Sequence, residues 1–420
     1  MKNRIASILL LVIVLNVNGQ KPKLFIGATA HLGNGEVINN AAISVKNGVF
    51  ELVADATQIR IDPTAFDTIH KVYGKHIYPS FILPNTTLGI TEIDAIRASR
   101  DFKETGNINP NIRSLIAYNT DSKITKTVRT NGVLIAQVTP RGGMISGQSS
   151  IMYLDGDNWE NAILKIDDGI HINWPNTYYN TGWWAEPGEV KQNKKYQEKI
   201  SELDKLFSKA KSYHLSSKII DLKMESMRGL FDGTKKIYLH ANSASDMRDA
   251  IEFSEKNNIK KLIIVGGEDA LAISDILIKK NIPVILNRVH RLPKSQDSPI
   301  DNPFKQAKEL EDAGVVFCLS YHGDMEAMGA RNLAFTAGTT VAYGQSYEKA
   351  VKSITLNAAK ILGIDNIVGS IKEGKEATFF ISSGDALDMR TNNIEEAFIK
   401  GKSIDLNNHQ KQLFNKYKMK

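Results

Sequence analysis

Ile237-Tyr238-Leu239-His240, Leu262-Ile263-Ile264-Val265, Pro283-Val284-Ile285-Leu286 and Val315-Val316-Phe317-Cys318-Leu319 follow one another along the chain. Between them lie stretches with helical spacing: Ser245 to Asn257, Asp269 to Lys279 and Phe304 to Ala313. Two more helices are expected near Ala327–Thr336 and Ser346–Leu362. Apolar runs without alternation are buried on both faces, which is the pattern of a parallel sheet covered by helices. Repeated βα units of this kind close into a barrel or spread into an open doubly wound sheet.

Upstream, further strands are expected at Ile77–Leu83, Arg113–Tyr118 and Val133–Thr139. Lys194 to Ser212 reads as an amphipathic helix, with Ile200, Leu203, Leu206, Phe207 and Ala210 on one face. Both chain ends differ from this middle. Ala42-Ile43-Ser44-Val45 and Val49-Phe50-Glu51-Leu52-Val53 flank Asn47-Gly48, a hairpin signal. Ala377-Thr378-Phe379-Phe380-Ile381 and Ile394 to Ile399 repeat that texture near the other end. The pattern predicts one small β domain from residues 21–76 and 366–405, around a barrel-like unit at 77–365 and before a basic tail at 406–420.

The 420 residues are 42% hydrophobic and 24% charged, which excludes a disordered or collagen-like chain. The formal charge is +7, but Lys2 and Arg4 lie at the start and Lys411, Lys416, Lys418 and Lys420 in the tail, so the body carries only +1. A nucleic-acid surface needs basic residues gathered on one face, and no such partner is expected. Residues 1–20 read as a signal peptide: Lys2 and Arg4, then an uncharged run from Ile5 to Leu15, then a cleavage region near Gly19. That run is shorter than a membrane span, and no later segment is long and apolar enough to be one. The expected location is secreted or periplasmic. Cys318 has no partner, so export requires no intramolecular disulfide.

In a parallel barrel, functional side chains stand just past the strand C-termini. Those positions are Asn85 and Thr87, the loop Thr139 to Gly147, His240 and Asn242, Asn287 to His290, and Ser320 to Asp324. His240 closes an apolar strand: it is a hydrogen-bonded residue at the edge of the core, or a metal ligand or proton carrier. His322 and Asp324 either form an acid–base pair or cap the following helix. Arg141, within Pro140-Arg141-Gly142-Gly143, either holds a carboxylate or phosphate or belongs to a structural turn. Five aromatics between Asn173 and Trp184 form a wall over a pocket or pack within an insertion or subunit contact.

The order of motifs resembles the amidohydrolase superfamily, in its secreted imidazolonepropionase-like branch. Gly74-Lys75-His76-Ile77-Tyr78-Pro79-Ser80-Phe81-Ile82 is similar to that branch's lead-in to barrel strand one, and Leu239-His240-Ala241 to its strand-five ligand. Thr355 to Gly363, continuing into Ile367 to Ala377, is similar to the closing helix and first returning strand. The resemblance implies a TIM-like (β/α)8 barrel with a small β-sandwich domain built by both ends. It also implies metal-assisted hydrolysis of amide or other non-peptide C–N bonds.

The departures fall on the metal ligands. Asn85 and Thr87 stand at the positions of the His-x-His pair, Gly266 at the strand-six His, and His322 near the strand-eight Asp, with Asp324 two residues on. Neutral oxygens replace imidazoles poorly, and glycine offers nothing. The expectation is no metal or a weakly bound divalent ion, zinc if present, with His240 as its ligand. His322 and Asp324 are then the candidate catalytic residues, and Asn85, Thr87, Arg141, Asn242 and His290 the candidate substrate contacts. The chain would be weakly active or non-catalytic, binding a small molecule, as a homodimer or beside an intact relative. The alternative is an active hydrolase with a rearranged mononuclear site of His240, His322 and Asp324.

Overall fold

The computed structural model describes residues 21–183, 185–216, 220–293 and 297–418, so the expected signal peptide, Trp184 and Lys420 lie outside it. Strands β1 (Lys23–His31), β2 (Val37–Lys46), β3 (Val49–Asp55), β4 (Thr68–Lys71) and β5 (His76–Pro79) open the chain. The larger sheet uses β6 (Phe81–Thr86), β7 (Val133–Val138), β8 (Ile145–Tyr153) and β9 (Ile163–Asn173). An arm of β10 (Tyr178–Trp183) and β11 (Glu186–Gln192) follows. The larger sheet resumes with β12 (Lys236–Ala241), β13 (Leu262–Gly266), β14 (Val284–Leu286) and β15 (Phe317–Leu319). Strands β16 (Phe379–Ser382), β17 (Ile394–Ile399) and β18 (Lys402–Ser403) return to the first sheet.

That first sheet runs β18-β17-β16-β5-β1-β2-β3, with β4 also paired to β1. It therefore joins the two chain ends through the antiparallel pair β5–β16. The strands form one hydrogen-bonded sheet with its own core of Phe25, Ile43, Phe50, Phe379 and Phe398. The apolar run at 77–83 is divided between the two sheets. Pro79 supplies no N–H, and Ser80 leaves the ladder to bond Thr378 O at 3.0 Å, so pairing restarts at Phe81.

The larger sheet runs β15-β14-β13-β12-β9-β8-β7-β6, a nearly closed barrel of eight strands. No strand ladder joins β15 to β6; across that seam Ser320 Oγ donates to Pro84 O at 3.1 Å. The strands from β12 to β15 are parallel, as the apolar runs predict. Strand β8 is not: it is antiparallel to both β7 and β9. The link Thr139–Met144 is far too short for the crossover that a parallel neighbour needs. The expected strand at Arg113–Tyr118 is instead a 3-10 turn, Ser114–Ala117, held by Ser114 Oγ on Val138 O at 2.8 Å.

The helices pack as their sequences direct. Ser243 caps Ala244–Lys256 by accepting from Asp246 N, and Met247, Ala250, Ile251 and Phe253 turn inward. Gly314, at φ +85°, ends Asn302–Ala313. One core fills the barrel, including Ile82, Ile135, Ile170, Leu239, Ile264, Ile285 and Leu319. Each such side chain contributes about 1.5–3 kcal/mol by leaving water. No helix among the described residues is long and apolar enough to cross a membrane.

Candidate functional site

The strand C-termini converge on a guanidinium. Arg141 stands in the hairpin turn between β7 and β8, where Gly142 and Gly143 have φ of +86° and +67°. A Cβ on Gly143 would lie 2.8 Å from Asn107 O, so this turn needs glycine for space as well as for its backbone angle. Gly143→Ala is expected to destabilise the chain by about 1–3 kcal/mol, because backbone rather than a flexible side chain must move. A urea titration against the parent chain measures it.

Arg141 Nη1 donates to Asn85 Oδ1 at 2.9 Å and Nη2 to Asn85 O at 2.9 Å. Its Nε donates to Glu326 Oε1 at 3.0 Å, and Thr139 O accepts from Nη1 at 3.4 Å. Both partners reach it through unusual backbone. Asn85, at φ +54°, turns its carbonyl and its side-chain oxygen toward the same group, and Met325, at φ +55°, precedes the short helix Glu326–Gly329. Glu326 also holds His322 Nδ1 at 2.5 Å. Burial works against its ionisation, but Arg141 and His322 outweigh that and bring the carboxyl down to about 2. Thr87 is buried beside it and hydrogen-bonds the same carboxylate.

His240 faces this cluster from β12. Its Nε2 lies 2.9 Å from His171 Nδ1, and His171 Nε2 lies 2.9 Å from Ser149 Oγ. The His171 ring stacks on Tyr238 at 4.4 Å. Burial first, then neighbouring cationic groups, lower both imidazoles well below their ordinary value, so both are neutral at pH 7. The His240 and His322 ring centres are 6.3 Å apart.

The structure thus brings together Asn85, Thr87, Arg141, His240 and His322. Asn242 lies beside them, accepting from Asn287 Nδ2 at 3.2 Å. It fills the space that a side chain at residue 266 would need: a Cβ on Gly266 would lie 2.3 Å from Asn242 Oδ1. Two expected residues stand apart. Asp324 is exposed, and its backbone carbonyl accepts from Arg288; Met325 turns the chain so that Glu326, not Asp324, faces inward. His290 pairs with Thr339 Oγ1 at 2.7 Å on the helix Leu333–Ala342.

Sequence reasoning misses His171 and Glu326. The only sequence signals were the Ile170-His171-Ile172 alternation and the four-residue step from His322 to Glu326.

The donor set does not fit a hydrolytic metal ion. Such an ion takes about three His, Cys, Asp or Glu ligands, and no group of three among the described residues is placed to hold one. Glu326 is committed to Arg141, and His240 Nε2 to His171. Next to the cluster lies a cleft of about 850 Å³. Tyr178, Tyr179 and Val190 of the β10–β11 arm wall one side, and Asn242, Glu268 and Arg291 the other. Among the described residues Arg291 Nε is buried without a hydrogen-bond partner, and its Nη1 lies 3.9 Å from Glu268.

Residues 235–404 match the Amidohydrolase family. Imidazolonepropionase of Flavobacterium psychrophilum is 24% identical over 166 residues, a match covering 36% of this chain and 40% of that protein. Among solved structures, an amidohydrolase from Thermotoga maritima superposes with a TM-score of 0.77 at 23% identity, covering 91% of this chain and 99% of that one. An adenosine deaminase from Xanthomonas campestris with bound zinc gives 0.53 at 14% identity, covering 96% and 98%. The structural likeness implies the (β/α)8 barrel of these neighbours, and the strand order here gives a nearly closed eight-stranded barrel in which β8 runs antiparallel. The family match and the relative add sequence support for the amidohydrolase superfamily, in its imidazolonepropionase-like branch.

Proposed function

We propose that this chain is an exported amidohydrolase-fold protein that binds a small molecule at the barrel mouth and hydrolyses C–N bonds weakly or not at all. One observation carries the reading: the strand-end carboxylate, Glu326, is spent on a side-chain cation. With the neutral oxygens of Asn85 and Thr87 and the missing side chain at Gly266, the mouth lacks the means to activate water as a metal-bound nucleophile. The cleft under the aromatic arm remains. Its walls suit a ligand with one flat or apolar face and a hydrogen-bonding edge that engages Arg291 and Asn242. Export rests on the basic start and apolar run of residues 1–20. An intact relative is a reasonable companion, supplying the hydrolysis this mouth does not support.

Purified chain is expected to carry well below one equivalent of zinc by elemental analysis, and EDTA is expected to change nothing in its behaviour. Near-stoichiometric zinc, with chelator-sensitive turnover lost in His240→Ala, would restore the reading of an active site built from His240, His322 and Asp324.

A further inference from the structure

The barrel seam and the guanidinium coincide, and the coincidence has a physical meaning. Strands β15 and β6 share no ladder, so the barrel's open edge lies between them. Asn85 stands at the end of β6, and His322 and Glu326 stand just past β15. Arg141 spans the gap from the β7–β8 turn, with Asn85 Oδ1 and O on one side and Glu326 Oε1, at 2.8 Å from Nη2, on the other. Its Nη2 also lies 3.4 Å from His322 Nδ1. Its five N–H groups face oxygens of Asn85, Thr139 and Glu326, from three segments that meet at the mouth.

We infer that Arg141 is a resident cation, standing in for a divalent ion at the strand ends and latching the seam between β15 and β6. The inference rests on the ligand-binding reading above and deepens it: the site is organised by a charge that the chain itself carries. A planar fork suits this role because it meets a carboxylate and an amide at once, which a compact ammonium does not do. The groups around it, the acceptors Asn85 Oδ1 and Glu326 and the imidazole of His322 held by that carboxylate, are ones that would otherwise turn toward a metal. Asn85 Nδ2 is buried with no partner among the described residues, because the side-chain oxygen is turned to the guanidinium instead.

The test uses the chain from residue 21 onward, with Co(II) as the probe. For the parent, one equivalent of Co(II) should give no visible ligand-field bands, and its Tm should stay within about 1 °C with Co(II) or EDTA, as expected when nothing binds the folded state. In Arg141→Ala, Co(II) bands should appear and Tm should rise with Co(II), with affinity about tenfold or more above the parent. Adding Glu326→Gln should abolish both.

A parent that takes up one tight Co(II) overturns the inference, as does a folded Arg141→Ala that takes up none. Should the alanine variant not fold, Arg141→Lys decides: it keeps the charge without the fork and must still exclude Co(II), and uptake there overturns the resident cation. C–N hydrolysis by the parent that survives EDTA would instead overturn the functional reading and leave the resident cation standing.

Discussion

Arg141→Met is expected to cost about 3–5 kcal/mol of stability, the scale for removing one partner of a buried ion pair. The side chains of Arg141 and Glu326 are 16% and 7% exposed, so little water reaches either to replace the lost partner. The methionine fills much of the volume but leaves Glu326 charged and buried, with both oxygens of Asn85 deprived of donors. Arg141→Met with Glu326→Leu should recover much of the loss, since an apolar pair leaves no orphan charge. Acid also separates the causes. In the parent, Glu326 has a depressed pKa, so its contribution is present above the ordinary carboxylate range and is lost as the pH falls toward 2. In the methionine variant only His322 and Thr87 still oppose burial, so the depression shrinks, and the gap to the parent should narrow as the pH drops below about 4.5. Urea midpoints of the three chains between pH 7 and 3 test this. A constant gap across that range would show that the loss came from packing.

Asp168→Ala is expected to be as damaging, at about 3–5 kcal/mol or more, because four donors lose one acceptor. Asp168 lies inside the barrel, fully buried, and its Oδ1 takes Lys236 Nζ at 2.7 Å and Lys165 Nζ at 2.8 Å. Its Oδ2 takes Gln137 Nε2 at 3.1 Å and the Tyr238 hydroxyl. Strands β7, β9 and β12 are therefore joined through one carboxylate beneath the mouth. Burial pushes its pKa up, but Lys236 and Lys165 prevail and hold it below the ordinary value. With a depressed pKa, its stabilisation is full above about 4 and fades below, so the parent should unfold in acid and the alanine variant should show a shallower acid limb. The same network supports the site: Gln137 Oε1 accepts from Asn85 N at 3.0 Å, and Tyr238 underlies His171. Loss of Asp168 should therefore disturb the mouth as well as the fold.

The parallel half of the barrel was legible because β12 to β15 are apolar on both faces. In the first half β6 and β7 were legible, at the expected runs 77–83 and 133–139, and β8 and β9 were not. In β8, Gln148, Ser149 and Ser150 interrupt the run, and in β9 Lys165, Asp167 and Asp168 do so. Yet β8 is buried throughout, since its polar groups meet others inside the barrel. A pattern rule that equates polar with exposed misses strands whose interior is hydrogen-bonded. His171 was hidden for that reason. The turn at Arg141 was visible as glycine-rich, but its guanidinium's destination depends on Asn85 and Glu326, which lie 56 and 185 residues away along the chain. Spacing points to Asp324 and passes over Glu326 because it does not show the left-handed step at Met325.

The pairing of β5 with β16 sets an order of assembly. A nascent chain that has emerged only as far as the barrel's last helix, Leu356–Leu362, still presents β5 as a raw edge with Ile77 and Tyr78 in search of a neighbour. The barrel can begin to close early through the neighbouring pairs β6 to β9, which lie near one another in sequence. The small sheet waits until Phe379 and its successors are released. Any ribosome stall or proteolytic nick in that interval leaves a sticky strand, so the final forty or so residues act as a fold-completing clasp whose loss should send the chain toward aggregation.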